Sequence, residues 1–218
     1  AFRHALRSIR DAARAPAIRW MCAYLFLWNF NPFQHDILYL HMTGPMGFSE
    51  QFFGDTVSLL AAASLVASVA YGLYCRRLAY RTLVHASIVT GVLATFAYAG
   101  ISDTRSTIVV TLVVGFTYMT GTLIQLDLAA RACPPETAAT VFAVLMALSN
   151  LSTSMSTAVG GVLYQRWSGT LGPTIAFRLL VITGALTTAM CWLLVGRLVK
   201  SHAEADVATT LATATASD

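Results

Sequence analysis

The sequence predicts an all-α polytopic membrane protein with six transmembrane helices. Three observations carry that reading. The 218 residues are 56% hydrophobic and only 11% charged, whereas a soluble domain carries about 25% charged residues. The charges are confined to short connections between long apolar segments, the pattern of a chain that crosses a bilayer repeatedly. Each apolar segment is about 20 residues or longer, enough for a hydrocarbon core of about 30 Å. Lipid offers no partner to unpaired backbone groups, and these segments are too long and continuous for barrel strands, so they are expected to be helices.

Taken in order, residues 1–16 are basic, with Arg3, Arg7, Arg10 and Arg14. They lack the apolar core and small-residue cleavage site of a signal peptide, and read either as a basic helix on the inner membrane surface or as a solvated linker. A chain beginning at Ala1 without Met reads as a fragment or a processed product. The spans are expected over 17–42, 51–74, 83–101, 107–130, 139–165 and 174–197, and residues 198–218 as a polar, disordered tail rich in Ala and Thr. The links (TGPMGFSE, CRRLAYRT, SDTRS, ACPPETA and RWSGTLGP) are short, so consecutive spans should be antiparallel neighbours. Of the 14 basic residues, only Arg105, Arg166 and Arg178 fall on one side. The rest share the side of both termini, which the positive-inside rule assigns to the cytoplasm. A partner in nucleic acid is not needed to explain the net charge of +4; the lipid bilayer is the expected partner. Cys22, Cys75, Cys133 and Cys191 are scattered, without metal-ligand spacing. Neither a metal nor a cofactor is expected.

The first span carries the most informative feature. Leu25 to Leu40 reads LFLWNFNPFQHDILYL, an apolar run interrupted by Asn29, Asn31, Pro32, Gln34, His35 and Asp36. Polar groups inside a membrane are costly and tend to face a cavity or a partner helix. Pro32 removes a backbone donor and disfavours the α conformation at Asn31, so a kink or an unwound turn is expected. A broken helix with polar side chains is a common way to build a solute site near the midplane. At 100° per residue Asn29 and Asp36 share one face, and Asn31 and His35 another. Asp36 lies about 9 Å beyond the span centre, so it and His35 read either as cavity groups or as groups wetted at the membrane surface. Asn31 and His35 read as repair of the backbone around Pro32.

In the second span Gly54, Ser58, Ser64, Ser68 and Gly72 fall at close spacing, suiting either tight helix packing or a cavity wall. The fourth places Thr117, Gly121 and Gln125 on one stripe, with Asp127 and Arg131 as an i, i+4 pair below. Gln125 is a candidate hydrogen-bonding group for a ligand, and the Asp127–Arg131 pair a structural or gating one. The fifth contains SNLSTSMSTAVGG, Ser149 to Gly161. Ser149, Thr153, Ser156 and Gly160 form one stripe; Asn150, Ser154, Thr157 and Gly161 form the next. Asn150 reads as a ligand group or as glue between helices. The third and sixth spans are more uniformly apolar and are expected to face lipid.

Leu25 to Gly54 and Asp127 to Asn150, with its CPP turn followed by FA-x-LM-x-x-SN, resemble the folate–biopterin transporter family of the major facilitator superfamily. Tyr71 to Thr82 is similar to the superfamily loop motif: Gly72, Leu73, Arg76 and Arg81 fit it, whereas Cys75 stands where a carboxylate is expected. The resemblance implies twelve spans in two halves, of which this chain matches the second. An N-terminal six-helix half is then the implied partner, and the first and fourth spans line a central cavity. It also implies secondary transport of a folate or a pterin by alternating access. Asn29, Gln125 and Asn150 would bond the ring edges, and Trp28 or Phe30 would stack on the ring. Asp36 with His35 would carry a coupling proton, and Arg76, Arg81, Asp127 and Arg131 would gate. The competing readings are a transporter of another solute or drug and a non-transporting membrane scaffold. An intramembrane enzyme is not expected, because no nucleophile elbow, zinc-protease motif or paired catalytic carboxylates occur.

Overall fold

The computed structural model describes residues 15–33, 35–74, 78–134 and 137–216, and these are helical, with no strand among them. Among the described residues eight helices follow one another: α1 (Pro16–Asn29), α2 (His35–Thr43), α3 (Glu50–Tyr74), α4 (Tyr80–Ala97), α5 (Thr104–Ala132), α6 (Ala138–Leu171), α7 (Pro173–Ala189) and α8 (Trp192–Ala216). A 3₁₀ turn, Tyr98–Gly100, extends α4. Five stretches are long and apolar enough to cross a membrane: Glu50–Leu73, Tyr80–Gly100, Thr104–Ala132, Ala138–Leu171 and Pro173–Glu204. They correspond to the second to sixth expected spans.

The first expected span differs, because it is two helices of 14 and 9 residues rather than one. The backbone leaves the helix at Phe30, whose ψ is 75°, and Asn31 closes a tight turn on the Asn29 carbonyl at 2.9 Å. Pro32 accounts for the break, since it has no N–H to donate and its ring bars a helical Asn31. The basic segment 1–14 and Arg76 lie outside the described residues. At the other end α8 continues through Ala216, where composition led to the expectation of a disordered tail from 198. Its alanines favour helix.

Local chemistry fixes the other ends. Pro16 opens α1, where a missing N–H costs nothing. Asp103 Oδ1 accepts from the Ser106 N–H at 2.7 Å, and Ser106 Oγ accepts in turn from the Asp103 N–H at 2.9 Å, a capping box that starts α5. Gly172, at φ 86°, makes the left-handed turn between α6 and α7 that only glycine adopts easily.

α1 runs through the middle of the bundle, with Met21, Tyr24 and Leu25 fully buried. It packs on α6 and α8; α5 packs on α3 and α4; α7 packs on α4 and α6. Two apolar clusters result. One gathers Tyr24, Leu25, Ile88, Leu128, Leu145 and Leu198; the other gathers Phe33, Ile37, Leu38, Val114, Phe177 and Leu180. The break in the first span lies where the chain passes from one to the other. Only 17% of the α3 window and 22% of the α6 window are buried, against 44% for α4 with its 3₁₀ turn and 39% each for α5 and for α7 with α8. The third and sixth spans, expected to face lipid, bury a larger share of their length than the second and fifth, and still present exposed apolar side chains such as Leu93, Phe96, Leu186 and Leu193.

Candidate functional site

The break is held by small and hydroxyl residues on four other helices. Ser152 Oγ on α6 donates to the Phe26 carbonyl at 2.6 Å, and Ser156 Oγ donates to the Asn31 carbonyl. The Asn31 carbonyl lies past the end of α1, so Ser156 supplies a bond that the helix cannot, while Ser152 adds a second bond to the Phe26 carbonyl, which also accepts from the Phe30 N–H at 2.9 Å. Asn31 completes the repair. Its Oδ1 accepts from the Phe33 N–H at 3.0 Å, and its Nδ2 donates to Thr95 Oγ1 on α4 at 2.9 Å. The expectation that Asn31 mends the backbone around Pro32 matches this geometry.

Glycines let these groups come so close. A Cβ on Gly160 would collide with the Pro32 carbonyl oxygen, and one on Gly184 with Asn31 Oδ1. The Trp28 ring edge lies against Gly91 of α4 and Gly121 of α5, where a Cβ would stand 2.9 and 3.1 Å from Cζ2. Trp28 Nε1 donates to the Ser87 carbonyl at 3.2 Å.

Asn29 lies at the last turn of α1. Its Nδ2 donates to Gln125 Oε1 on α5 at 3.1 Å and to the Leu25 carbonyl at 2.8 Å. Gln125 is only 5% exposed, and its Nε2 has no partner among the described residues. Such interhelical bonds contribute about 0.6–2 kcal/mol in a membrane, while an unpaired buried donor costs about 1–3 kcal/mol.

Asn29 also borders a cavity of about 70 Å³, lined by Trp28, Asn31, His35, Thr95, Tyr118 and Thr153 among others. Ligand sites usually measure about 300–1,000 Å³, so this space holds a water or two and is closed to a fused ring system. Phe33 seals one wall, its ring 4.9 Å from Tyr98 and 5.4 Å from Phe177. His41 stacks on Phe177 at 3.8 Å, so aromatic contacts dock α2 on α7.

The structure thus brings Trp28, Asn29 and His35 to one cavity, joins Gln125 to it through Asn29, and separates others. Phe30 stacks on Phe26 at 6.0 Å and does not border the cavity. Asn150 is exposed on α6. Asn29 and Asp36 do not share a face, because 100° per residue applies only to an unbroken helix: Asn29 borders the inner cavity and Asp36 a separate groove between α2 and α6. In the second span the packed stripe is Thr56, Ala63, Ala67 and Tyr71. Of the small row, Ser64 bonds the Gly115 carbonyl at 3.1 Å, whereas Gly54, Ser58 and Gly72 are exposed.

The charged pair forms as expected. Arg131 donates Nε and Nη2 to the two Asp127 oxygens at 3.0 and 2.8 Å, and the Tyr71 hydroxyl adds a bond at 3.1 Å. That last contact ties α3 to α5. Arg81 is exposed.

Sequence reasoning missed the residues that cradle the break from the third and sixth spans. Ser87, Gly91 and Thr95 are spaced by four, as are Gly184 and Thr188. That spacing of small residues in otherwise apolar helices was the available signal.

A model of the BT1 family matches residues 1–216. A folate-biopterin transporter of Synechocystis sp. is 28% identical over 174 residues, covering 75% of this chain and 35% of that protein. The chain thus spans about a third of that relative's length. No solved structure matches it.

Proposed function

This chain belongs to the BT1 family, and on that footing we propose that it forms the second six-span half of a secondary transporter that moves a folate or a pterin by alternating access. The observation that carries the proposal is the broken first span, where Asn29 meets Gln125 beside a mostly apolar cavity that Asn29, Asn31, Thr95 and Thr153 make polar in places. Unwound helices with polar side chains near the midplane suit a site that must bind a solute and release it on either side. In this proposal α1, the break and α2 together make one crossing, giving six.

The proposed roles follow from position. Asn29 and the unpaired Nε2 of Gln125 offer amide donors and acceptors to the edges of a flat heterocycle, and Trp28 offers a rigid apolar wall. The cavity is too small for such a ring as it stands, so entry needs α2 to swing from α7 about residues 30–34, parting Phe33 and His41 from Phe177. Asp36, beside His35, carries the coupling proton. Asp127, Arg131 and Tyr71 close the opposite end, with Arg81 at the start of α4 and Arg76 five residues before it in the sequence. Asn150 acts from the exposed face of α6 across the central space.

An N-terminal six-helix half as partner is supported by the sparse packing of α3 and α6 and by the polar residues left open on α6, Asn150 and Ser154 among them. The distribution of arginines supports both termini lying in the cytoplasm. The test is uptake by the intact protein in proteoliposomes, comparing labelled pterin, folate and an amphipathic cation. Saturable uptake of pterin or folate supports the proposal. Uptake of the cation alone favours a transporter of another solute class.

A further inference from the structure

Outside the closed cavity, α2 and α6 enclose a groove of about 520 Å³ bordered by Asp36, Thr157, Gly161, Tyr164, Gln165 and Ser168. Its size falls within the range of small-molecule sites, several times that of the inner cavity. Ile37 and Leu40 complete an apolar side. A Cβ on Gly161 would meet nothing within 4 Å, so the floor is open to a flat ring.

Among the described residues, Asp36 is the one carboxylate bordering this groove. It is exposed, and the described residues give it no hydrogen bond and no ion pair. A carboxylate against an apolar wall has acceptor capacity to offer, and two parallel N–H donors match its two oxygens best. The 2-amino-4-oxopyrimidine edge of a pterin presents such a pair, a ring N–H beside an exocyclic NH₂. Thr157, Gln165 and Ser168 supply further polar groups for the opposite edge, and the Tyr164 ring with Leu40 supplies apolar contact area. The groove also continues the open α6 stripe of Asn150 and Ser154, so it faces the same space that the transport proposal assigns to solute.

Resting on that transport reading, we infer that the α2–α6 groove is a recognition site for the 2-amino-4-oxopyrimidine edge of the substrate, with Asp36 accepting both N–H donors. Recognition then happens on α2, the piece of the first span that must move for the inner cavity to open. Occupancy of the groove and the position of α2 become linked.

The test is exchange of labelled pterin by the intact protein in proteoliposomes without a pH gradient, so that proton coupling does not limit the signal. Unlabelled pterin and its 2,4-dioxo analogue, which has a carbonyl in place of the amino donor, are compared as competitors. Native protein should prefer pterin by about ten- to a hundred-fold, the range for paired charge-assisted hydrogen bonds. Asp36→Asn should reduce that preference to within about three-fold by weakening pterin alone, and Asp36→Glu should keep most of it. Gly161→Leu, whose side chain has room, should fill the groove and weaken pterin competition at least ten-fold. Equal loss for both competitors in Asp36→Asn, or unchanged preference, overturns the inference while leaving the transport reading intact. Absence of pterin and folate exchange in the native protein overturns both.

Discussion

Asn29 and Gln125, 96 residues apart in the chain, share a 3.1 Å hydrogen bond at the point where the first span breaks. Asn29 has a second acceptor in the Leu25 carbonyl, whereas Gln125 Nε2 has no partner among the described residues. The pair is therefore asymmetric. Gln125→Leu removes an unpaired buried donor along with one bond, and its effect on stability should stay within about 1 kcal/mol, a few degrees of melting temperature for a chain of this size. Uptake of pterin or folate should fall at least ten-fold. A variant with native uptake would show that Gln125 only fastens α5 to α1.

A Cβ on Gly160 would strike the Pro32 carbonyl oxygen, a backbone atom that the break holds in place. Gly160→Ala should push α6 from the break and cost about 1–3 kcal/mol, the usual price of overpacking. Gly196→Ala, on α8 with nothing within 4 Å, should be neutral or stabilising by up to about 1 kcal/mol. Thermal denaturation of the two variants in detergent checks this; equal melting temperatures would mean that α6 is free to yield at Gly160.

Much of this architecture was legible in the sequence because membrane spans announce themselves by length and apolarity. The interruption at Asn29 to Asp36 pointed to the break, and Pro32 gave its cause. Asn29 and Gln125 were each recognisable as polar residues misplaced in apolar helices, though only the fold could bring them into contact. What stayed hidden follows from two limits. Once the helix unwinds, angular bookkeeping no longer relates Asn29 to Asp36, so their shared face dissolved into two separate spaces. And Ser87, Gly91 and Gly184 look unremarkable in apolar helices, because what matters about them is how near Trp28 and Asn31 can come.

Orientation can be read from Cys133, just beyond α5. The thiol is half-buried, donates to the Ala129 carbonyl at 3.1 Å, and is pushed above the ordinary thiol range by burial. A membrane-impermeant maleimide should label a single-cysteine Cys133 form only from the cytoplasmic side, slowly at neutral pH and faster as pH rises. Labelling from the outer side alone would reverse the proposed topology.

The capping box at α5 carries a pH signature. The Ser106 N–H, donating to the Asp103 carboxylate at 2.7 Å, and the bond with the Ser106 side chain hold its pKa below the ordinary value of 3.8. A lowered folded-state pKa means that the cap contributes fully above the unfolded value and is lost as pH falls through the folded one. Protection of the Ser106 and Thr107 amides against hydrogen exchange should drop in that acidic window in native protein. Asp103→Asn should lose this step; an unchanged step would assign it to another carboxylate.

The central claim, that the broken first span lines the path of a pterin or folate, is tested most directly by uptake of the labelled solute into proteoliposomes containing the intact protein, native or Asn29→Leu. The account predicts saturable uptake by the native protein, competed by unlabelled pterin, and at least ten-fold slower uptake by a variant that folds and inserts equally well. Native-like uptake by Asn29→Leu, or uptake of amphipathic cations with none of pterin or folate, would contradict it.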